Sequence, residues 1–370
     1  MATVFETVRS SAAILSAAGV DIPEHDVKLL LAEAFHVDLR DVDKAMLMGD
    51  DVEHLNSALA SDSPESDMRT ELGDTCMSVS PESGIHNAPE GMCVSDAPES
   101  DTWANAKTTG NTVAAAMERF HSMVDRRSKR EPLQHITGHA PFRYLDLKVG
   151  PGVFIPRPET ELVVQEGIEW TTRHGMYRAK VVDLCAGSGA IGLAFATEVP
   201  GSEVWAVEQS ERTAQWARRN LDETTKRYPA IAGNYHLEIA DATQMPTLNQ
   251  LDGTIDIVLT NPPYVPLSDI PVQPEVRDYD PDLALYGGSA DGTLIPERII
   301  SRASKLLKPG GLMVMEHDVT QGERLAAFAR TCDFVDVVVH NDYTGRPRYL
   351  TAEKQEIGSY KTFHGMPVKI

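Results

Sequence analysis

From Lys180 onward, short apolar runs alternate with amphipathic stretches: "KVVDLCA", "SEVWAVE", "YHLEIAD", "IDIVLTN", "GLMVMEH" and "DFVDVVVH". Strand patterns that alternate with helical patterns predict a mostly parallel α/β sheet with helices on both faces. In such sheets, ligands bind beyond the carboxyl ends of the strands. The residues that follow each run are therefore the first candidates for chemistry.

The rest of the composition narrows the class. A chain of 370 residues accommodates two domains or one large one, and 42% hydrophobic residues suit a globular enzyme with a substantial core. No apolar run is long enough for a membrane span, and "MATVFETVRSSAAIL" lacks the basic-then-apolar build of a signal peptide. The four cysteines, Cys76, Cys93, Cys185 and Cys332, make no CxxC pair and no zinc-spaced cluster. A reducing cytoplasm without a metal site is the expectation. The net charge of −21 argues against a broad nucleic-acid footprint and direct nucleic-acid binding.

Along the chain, Val4, Val8, Ala12, Leu15 and Ala18 recur at helical spacing before Gly19. After Pro23, Val27, Leu30, Leu31, Ala34 and Phe35 share a second face. Residues 61–111 differ: "SDSPES", "SPES" and "SDAPES" recur, with ten acidic and two basic residues. That composition predicts a disordered insertion, tolerated between helices rather than regulatory. Val113, Met117, Phe120 and Val124 restore a helical stripe over 113–130. Phe142, Leu145, Leu147 and Val149 then alternate as in a β-hairpin, and the chain turns helical again from Thr160. The expected division is a helical domain over 1–130 with its acidic insertion, a hairpin linker over 131–160, and an α/β domain over 161–370.

Four strand ends carry candidate chemistry. Asp183, Cys185, Ala186, Gly187, Ser188 and Gly189 form a small-residue loop running from a strand into a helix over 191–197. Glycines admit close approach of a ligand to the backbone, and a helix N-terminus favours polar or negative groups; the loop lacks the full dinucleotide pattern G-x-G-x-x-G. Glu208 closes the next strand, where a carboxylate can accept both hydroxyls of a ribose. Asp241 and Ala242 follow the third strand, in reach of an adenine edge or face. "TNPPYVP" ends "IDIVLTN" abruptly, because proline can continue neither strand nor helix. Asn261 offers a side-chain carbonyl, and Pro262 has a carbonyl but no N–H. Two fixed acceptors suit the two hydrogens of an –NH₂ group. Tyr264 can pack on the planar group that bears it.

This assembly resembles the class I S-adenosylmethionine-dependent methyltransferases. Asn261-Pro262-Pro263-Tyr264 is similar to the motif of those that methylate a planar amino or amide nitrogen. "EPLQHITGHAPFRYLDLKVGPGVFIPRPETELVV", "VRDYDPDLALYGGSADG" and "ERIISRASKLLKPGGLMVMEH" resemble the HemK/PrmC family, protein-(glutamine-N5) methyltransferases of peptide chain release factors. The likeness covers nearly all of the chain from about Arg130. It implies a Rossmann-like seven-stranded sheet and a small N-terminal substrate-recognition domain. It also implies S-adenosyl-L-methionine as cofactor and the Gly-Gly-Gln loop of class I release factors as partner. Carried across by position, residues 185–189 become the cofactor loop, Glu208 the ribose acceptor, Ala242 an adenine-flanking position, and residues 261–264 the glutamine clamp. Cys185 departs from a commoner glycine and is tolerable if its φ stays negative; "MEHD" departs from Leu-Glu-Ile-Gly.

The implied reaction is in-line attack of the glutamine amide nitrogen on the sulfonium methyl, with Asn261, Pro262 and Tyr264 as the catalytic set. Rival readings are glutamine methylation of a ribosomal protein, DNA adenine-N6 methylation, which needs a basic reading surface and a flipped base, and a non-catalytic binder of translation factors. His135, His139 and His317 are expected to be structural. Arg157 and Glu159 are expected at the cofactor edge or as helix caps.

Overall fold

The computed structural model describes residues 2–55 and 112–356. The predicted acidic insertion at 61–111 lies outside the described residues. The chain divides into two compact units, Met1–Ser128 and Lys129–Ile370.

The first unit contains α1 (Val4–Ala17), α2 (Pro23–Phe35), α3 (Leu39–Met48) and α4 (Val113–Ser128). Thr3 and Glu6 cap α1 reciprocally: the Glu6 N–H donates to Thr3 Oγ1 and the Thr3 N–H to Glu6 Oε2. Val8, Leu15, Leu30, Leu31, Phe35 and Phe120 are the buried stripes anticipated from helical spacing. Burying the Arg127 guanidinium is tolerable because its Nε donates to Asp26 Oδ2 at 2.7 Å.

The second unit begins with α5 (Leu133–Thr137) and a hairpin of β1 (His139–Phe142) and β2 (Leu145–Lys148). His139 faces Lys148 and Phe142 faces Leu145. The hairpin is sewn to α8 (Glu211–Arg227) through Asn220. This 1%-exposed amide accepts from the Lys148 N–H at 2.6 Å and donates to the Lys148 and Ser188 carbonyls.

After a 3₁₀ turn (Pro158–Thr160) and α6 (Glu161–Arg173) come β3 (Lys180–Leu184), α7 (Ala190–Glu198), β4 (Glu203–Glu208), β5 (Tyr235–Ile239) and β6 (Ile255–Thr260). Two short helices, α9 (Pro274–Tyr279) and α10 (Asp282–Leu285), precede α11 (Leu294–Leu306), β7 (Leu307–Glu316), α12 (Gly322–Thr331), β8 (Phe334–Asn341) and β9 (Pro347–Lys354). The seven strands lie in the order β5-β4-β3-β6-β7-β9-β8, with β9 antiparallel to both neighbours and the first five parallel. β9 is the strand that the sequence pattern did not single out.

Every residue of β6 is buried, so the run reads as continuously apolar apart from Asp256 and Thr260. Ile257 and Leu259 join Val164, Leu193 and Phe195 on one face. Val258, with Val182 and Met313, joins Ile299, Ala303 and Leu325 on the other. Gly167 lets α6 approach closely, since a Cβ there would meet Leu259 Cδ2 at 3.0 Å.

The chain reverses strand order between β3 and β6, and a crevice opens there beyond the carboxyl ends. Among the described residues no helix is long and apolar enough to cross a membrane, and no His/Cys/Asp/Glu cluster could hold a metal.

Candidate functional site

One cavity lies over the carboxyl ends of β3, β4, β5 and β6. The loop after β3 forms its floor. Positive φ at Cys185 (67°), Gly187 (58°) and Gly189 (85°) folds the chain so that Ala186 N–H donates to Val207 O and Gly187 N–H to Glu208 Oε2 at 2.9 Å. The condition of a negative φ at Cys185 therefore fails. The tight turn into α7 needs the left-handed conformation at that point, which costs a non-glycine residue about 1 kcal/mol. Its thiol packs against the core beside the Thr260 hydroxyl, and burial pushes its pKa well up, so it is a neutral filler.

Cys185, Ala186, Gly187, Ser188, Glu208, Asp241, Ala242, Asn261, Pro263 and Tyr264 all line the cavity, so the fold gathers residues from four separate loops. Asp183, Gly189 and Pro262 do not line it. Asp183 is fully buried beneath the loop, where its Oδ2 accepts from Gly192 N–H at 2.9 Å. It braces the start of α7, and burial, partly offset by that N–H, pushes its pKa up to about 7.

Glu208 is held before any ligand arrives. Oε2 accepts from Gly187 N–H and Oε1 from Ser210 N–H at 2.8 Å. Burial raises its pKa and these amides oppose the rise. Each oxygen keeps a lone pair, which is what a pair of ribose hydroxyls requires. Asp241 is turned inward on its own loop, accepting from the Thr243 N–H and hydroxyl at 2.8 and 2.7 Å. At Gly187 an added Cβ would meet nothing within 4 Å. Open space before a glycine loop, with a held carboxylate beside it, fits a nucleoside-bearing cofactor whose polar tail reaches the N-terminus of α7.

The opposite wall follows β6. Asn261 Nδ2 donates to Thr160 Oγ1 at 3.1 Å. Among the described residues no hydrogen bond ends on Asn261 Oδ1 or on the Pro262 carbonyl. The Tyr264 hydroxyl donates to Glu316 Oε1 at 2.9 Å, while its ring lines the cavity. Gln321 ties down the backbone, its Nε2 donating to both Tyr264 O and Asp291 O at 2.8 Å. Gly292, at φ +72°, lies so close beneath that a Cβ would meet Tyr264 O at 2.1 Å. No other residue permits that approach. Phe154, Leu283 and Leu285 supply apolar lining; they lie in stretches that carry the family resemblance but are given no role there.

Glu316, buried to 1% exposure, is read in the sequence only as part of "MEHD" and given no role. It accepts from Thr160 Oγ1 at 2.7 Å as well as from Tyr264. The available signal was an acidic residue closing an apolar strand, the same pattern that marked Glu208. Arg157 pairs with Asp280 at 2.8 Å and lies over the ring of the lining residue Phe154 without lining the cavity itself. His317 is fully buried with Nδ1 on Asp318 O, and His139 pairs with Asp146.

A family model described as a methyltransferase domain matches residues 178–361, and one described as the PrmC N-terminal domain matches residues 111–138. A release factor glutamine methyltransferase from Bifidobacterium longum is 57% identical over 349 residues, spanning 94% of this chain and 99% of that protein. The protein of the same name from Streptomyces coelicolor is 44% identical over 238 residues, 64% of this chain and 80% of its own. A 4-amino-L-phenylalanine/4-methylamino-L-phenylalanine methyltransferase from Streptomyces pristinaespiralis is 37% identical over 215 residues, 57% of this chain and 70% of its own.

Proposed function

The chain belongs to the release factor glutamine methyltransferase family, and from that premise we propose that residues 261–264 hold the glutamine of the Gly-Gly-Gln loop of a class I release factor for methylation at N5. The enzyme is an S-adenosyl-L-methionine-dependent protein glutamine methyltransferase. The cofactor, when bound, supplies an electrophilic methyl group on a sulfonium. Residues 185–188 and Glu208 would hold it at the floor of the cavity, and Ala242, which also lines the cavity, would flank its base.

An amide nitrogen is a poor nucleophile, because its lone pair is delocalised into the carbonyl. Asn261 Oδ1 and the Pro262 carbonyl accept its two hydrogens, orient it, and stabilise positive charge as it develops on nitrogen. The Tyr264 ring packs on the amide plane. The surplus proton leaves nitrogen for water. Recognition of the body of the release factor falls to the helical unit.

The single observation behind this reading is a pair of acceptors, Asn261 Oδ1 in the cavity wall and the carbonyl of Pro262 between the lining residues Asn261 and Pro263, that have no hydrogen-bond partner among the described residues. The test is peptide-level mass spectrometry of a purified class I release factor after incubation with the enzyme and cofactor. One added methyl on the Gly-Gly-Gln glutamine is the expected result. An unmodified glutamine, with the cofactor bound, sinks the release-factor reading and points to ribosomal proteins.

A further inference from the structure

Behind the amide pocket runs a relay of hydrogen bonds from three distant segments. Asn261 Nδ2 donates to Thr160 Oγ1, Thr160 Oγ1 donates to Glu316 Oε2 at 2.7 Å, and Tyr264 donates to Glu316 Oε1. Thr160 is 4% exposed and Glu316 1%, so bulk water does not compete for either.

An amide side chain is nearly symmetric in shape but not in chemistry: one end accepts and the other donates. Its partner decides which end faces the cavity. An ionised carboxylate only accepts, and a hydroxyl has a single hydrogen. With that hydrogen committed to Glu316, Thr160 can only accept from Asn261. The amide must turn its –NH₂ to Thr160 and leave Oδ1 for the cavity. The reversed amide would set an acceptor against a hydroxyl with no hydrogen to give, and a donor against the substrate's own –NH₂.

We propose that Glu316 and Thr160 are positioning residues that fix the polarity of the Asn261 amide, and thereby select a donor nitrogen over an acceptor oxygen in the substrate. This rests on the amide-clamp reading above. It gives the buried carboxylate a role without any contact with substrate. It also explains how a pocket distinguishes glutamine from glutamate, whose carboxylate offers two acceptors and no hydrogen.

A pH dependence follows. Protonated Glu316 could donate to Thr160, release the hydroxyl to donate to Asn261, and so reverse the relay. The groups around the carboxylate are Thr160, Tyr264 and Arg348, which favour its charge, and Glu159, which opposes it, with neutral His317 adjacent. Burial prevails and raises the Glu316 pKa, so the acidic limb of the rate lies above the ordinary glutamate range.

Three variants test the relay: Thr160→Val, Thr160→Ser and Glu316→Gln. Two readouts are taken, the single-turnover methylation rate with cofactor Kd, and the ¹⁵N side-chain amide resonance of Asn261, assigned by its loss in Asn261→Ala. Thr160→Val should slow methylation at least about tenfold with cofactor Kd within about twofold, and should move the Asn261 resonance. Thr160→Ser should restore both. Glu316→Gln should lose the acidic limb. Wild-type rate in Thr160→Val, or an Asn261 resonance indifferent to Thr160, overturns the proposal. If the wild-type enzyme methylates no release factor, the release-factor reading fails on its own, and a glutamine of another protein becomes the acceptor for the same variants. The resonance comparison still decides the relay.

Discussion

The loop after β3 keeps its shape with main-chain bonds and left-handed residues, whereas the loop after β6 keeps its shape with side chains brought from elsewhere. On the cofactor side, Ala186 and Gly187 donate backbone N–H groups, and the side chains of Glu208, Asp183 and Asn220 meet backbone groups of the loop and of the helix start. On the acceptor side, Thr160, Gln321 and Glu316 hold Asn261 and Tyr264 in place. A cofactor common to many enzymes can be gripped by peptide groups, which every residue has. Choosing one acceptor atom needs polarity that the backbone alone does not supply. Damage on the two sides should therefore separate into affinity and turnover.

The largest effect is expected on the acceptor side. Asn261→Ala should lower turnover about 10²–10³-fold, with cofactor Kd changed by less than about threefold. Single-turnover methylation and calorimetric titration check it, and undiminished turnover would remove the clamp. On the other side, Glu208→Ala deprives two N–H groups of their acceptor and should raise cofactor Kd about 10- to 100-fold. At saturating cofactor its turnover should stay close to wild type. Weak turnover with unchanged affinity would break the comparison.

Asp183 sharpens the comparison through pH. Its carboxyl is raised from an unfolded value of about 3.9 to about 7 when folded, so the folded state retains a proton that the unfolded state releases. Stability drawn from that group is lost as pH rises between those values. Asparagine keeps an acceptor for the Gly192 N–H and does not titrate. The melting temperature of Asp183→Asn relative to wild type should climb by a few degrees from pH 5 to pH 8. A difference independent of pH would mean that Asp183 is not protonated by burial. The smallest effect belongs to Cys185→Gly, where relief at φ +67° is set against lost packing of the thiol. Its melting temperature should stay within about 3 °C of wild type.

What could be read in the chain follows the same division. The inner parallel strands β3, β4, β6 and β7 declare themselves as largely apolar runs because most of both their faces is buried, whereas the edge strand β5 carries His236 and Glu238 and is half exposed. The glycine loop and Glu208 lie directly on those runs, so their positions came with the strands. Asn261 and Tyr264 were legible because two prolines stop β6 at once. The relay behind them was not, since Thr160 and Glu316 lie 156 positions apart and meet only through the order of β6 and β7. β9 was missed because "RPRYLTAEK" mixes proline and charge with few apolar residues, although Leu350 and Ala352 sit in the core between β7 and β8. The sign of φ at Cys185 is invisible in the residue, because the bonds from the Ala186 N–H to the Val207 carbonyl and from the Gly187 N–H to the Glu208 carboxylate impose it.

The central claim is that two acceptors, Asn261 Oδ1 and the Pro262 carbonyl, grip one –NH₂. It is tested most directly by a crystal structure of the enzyme with S-adenosylhomocysteine and a glutamine-bearing release-factor peptide. The account predicts the glutamine nitrogen within hydrogen-bond distance of both Asn261 Oδ1 and the Pro262 carbonyl, over the Tyr264 ring. A glutamine bound by its carbonyl oxygen, or an Asn261 that turns Nδ2 to the substrate, would contradict it.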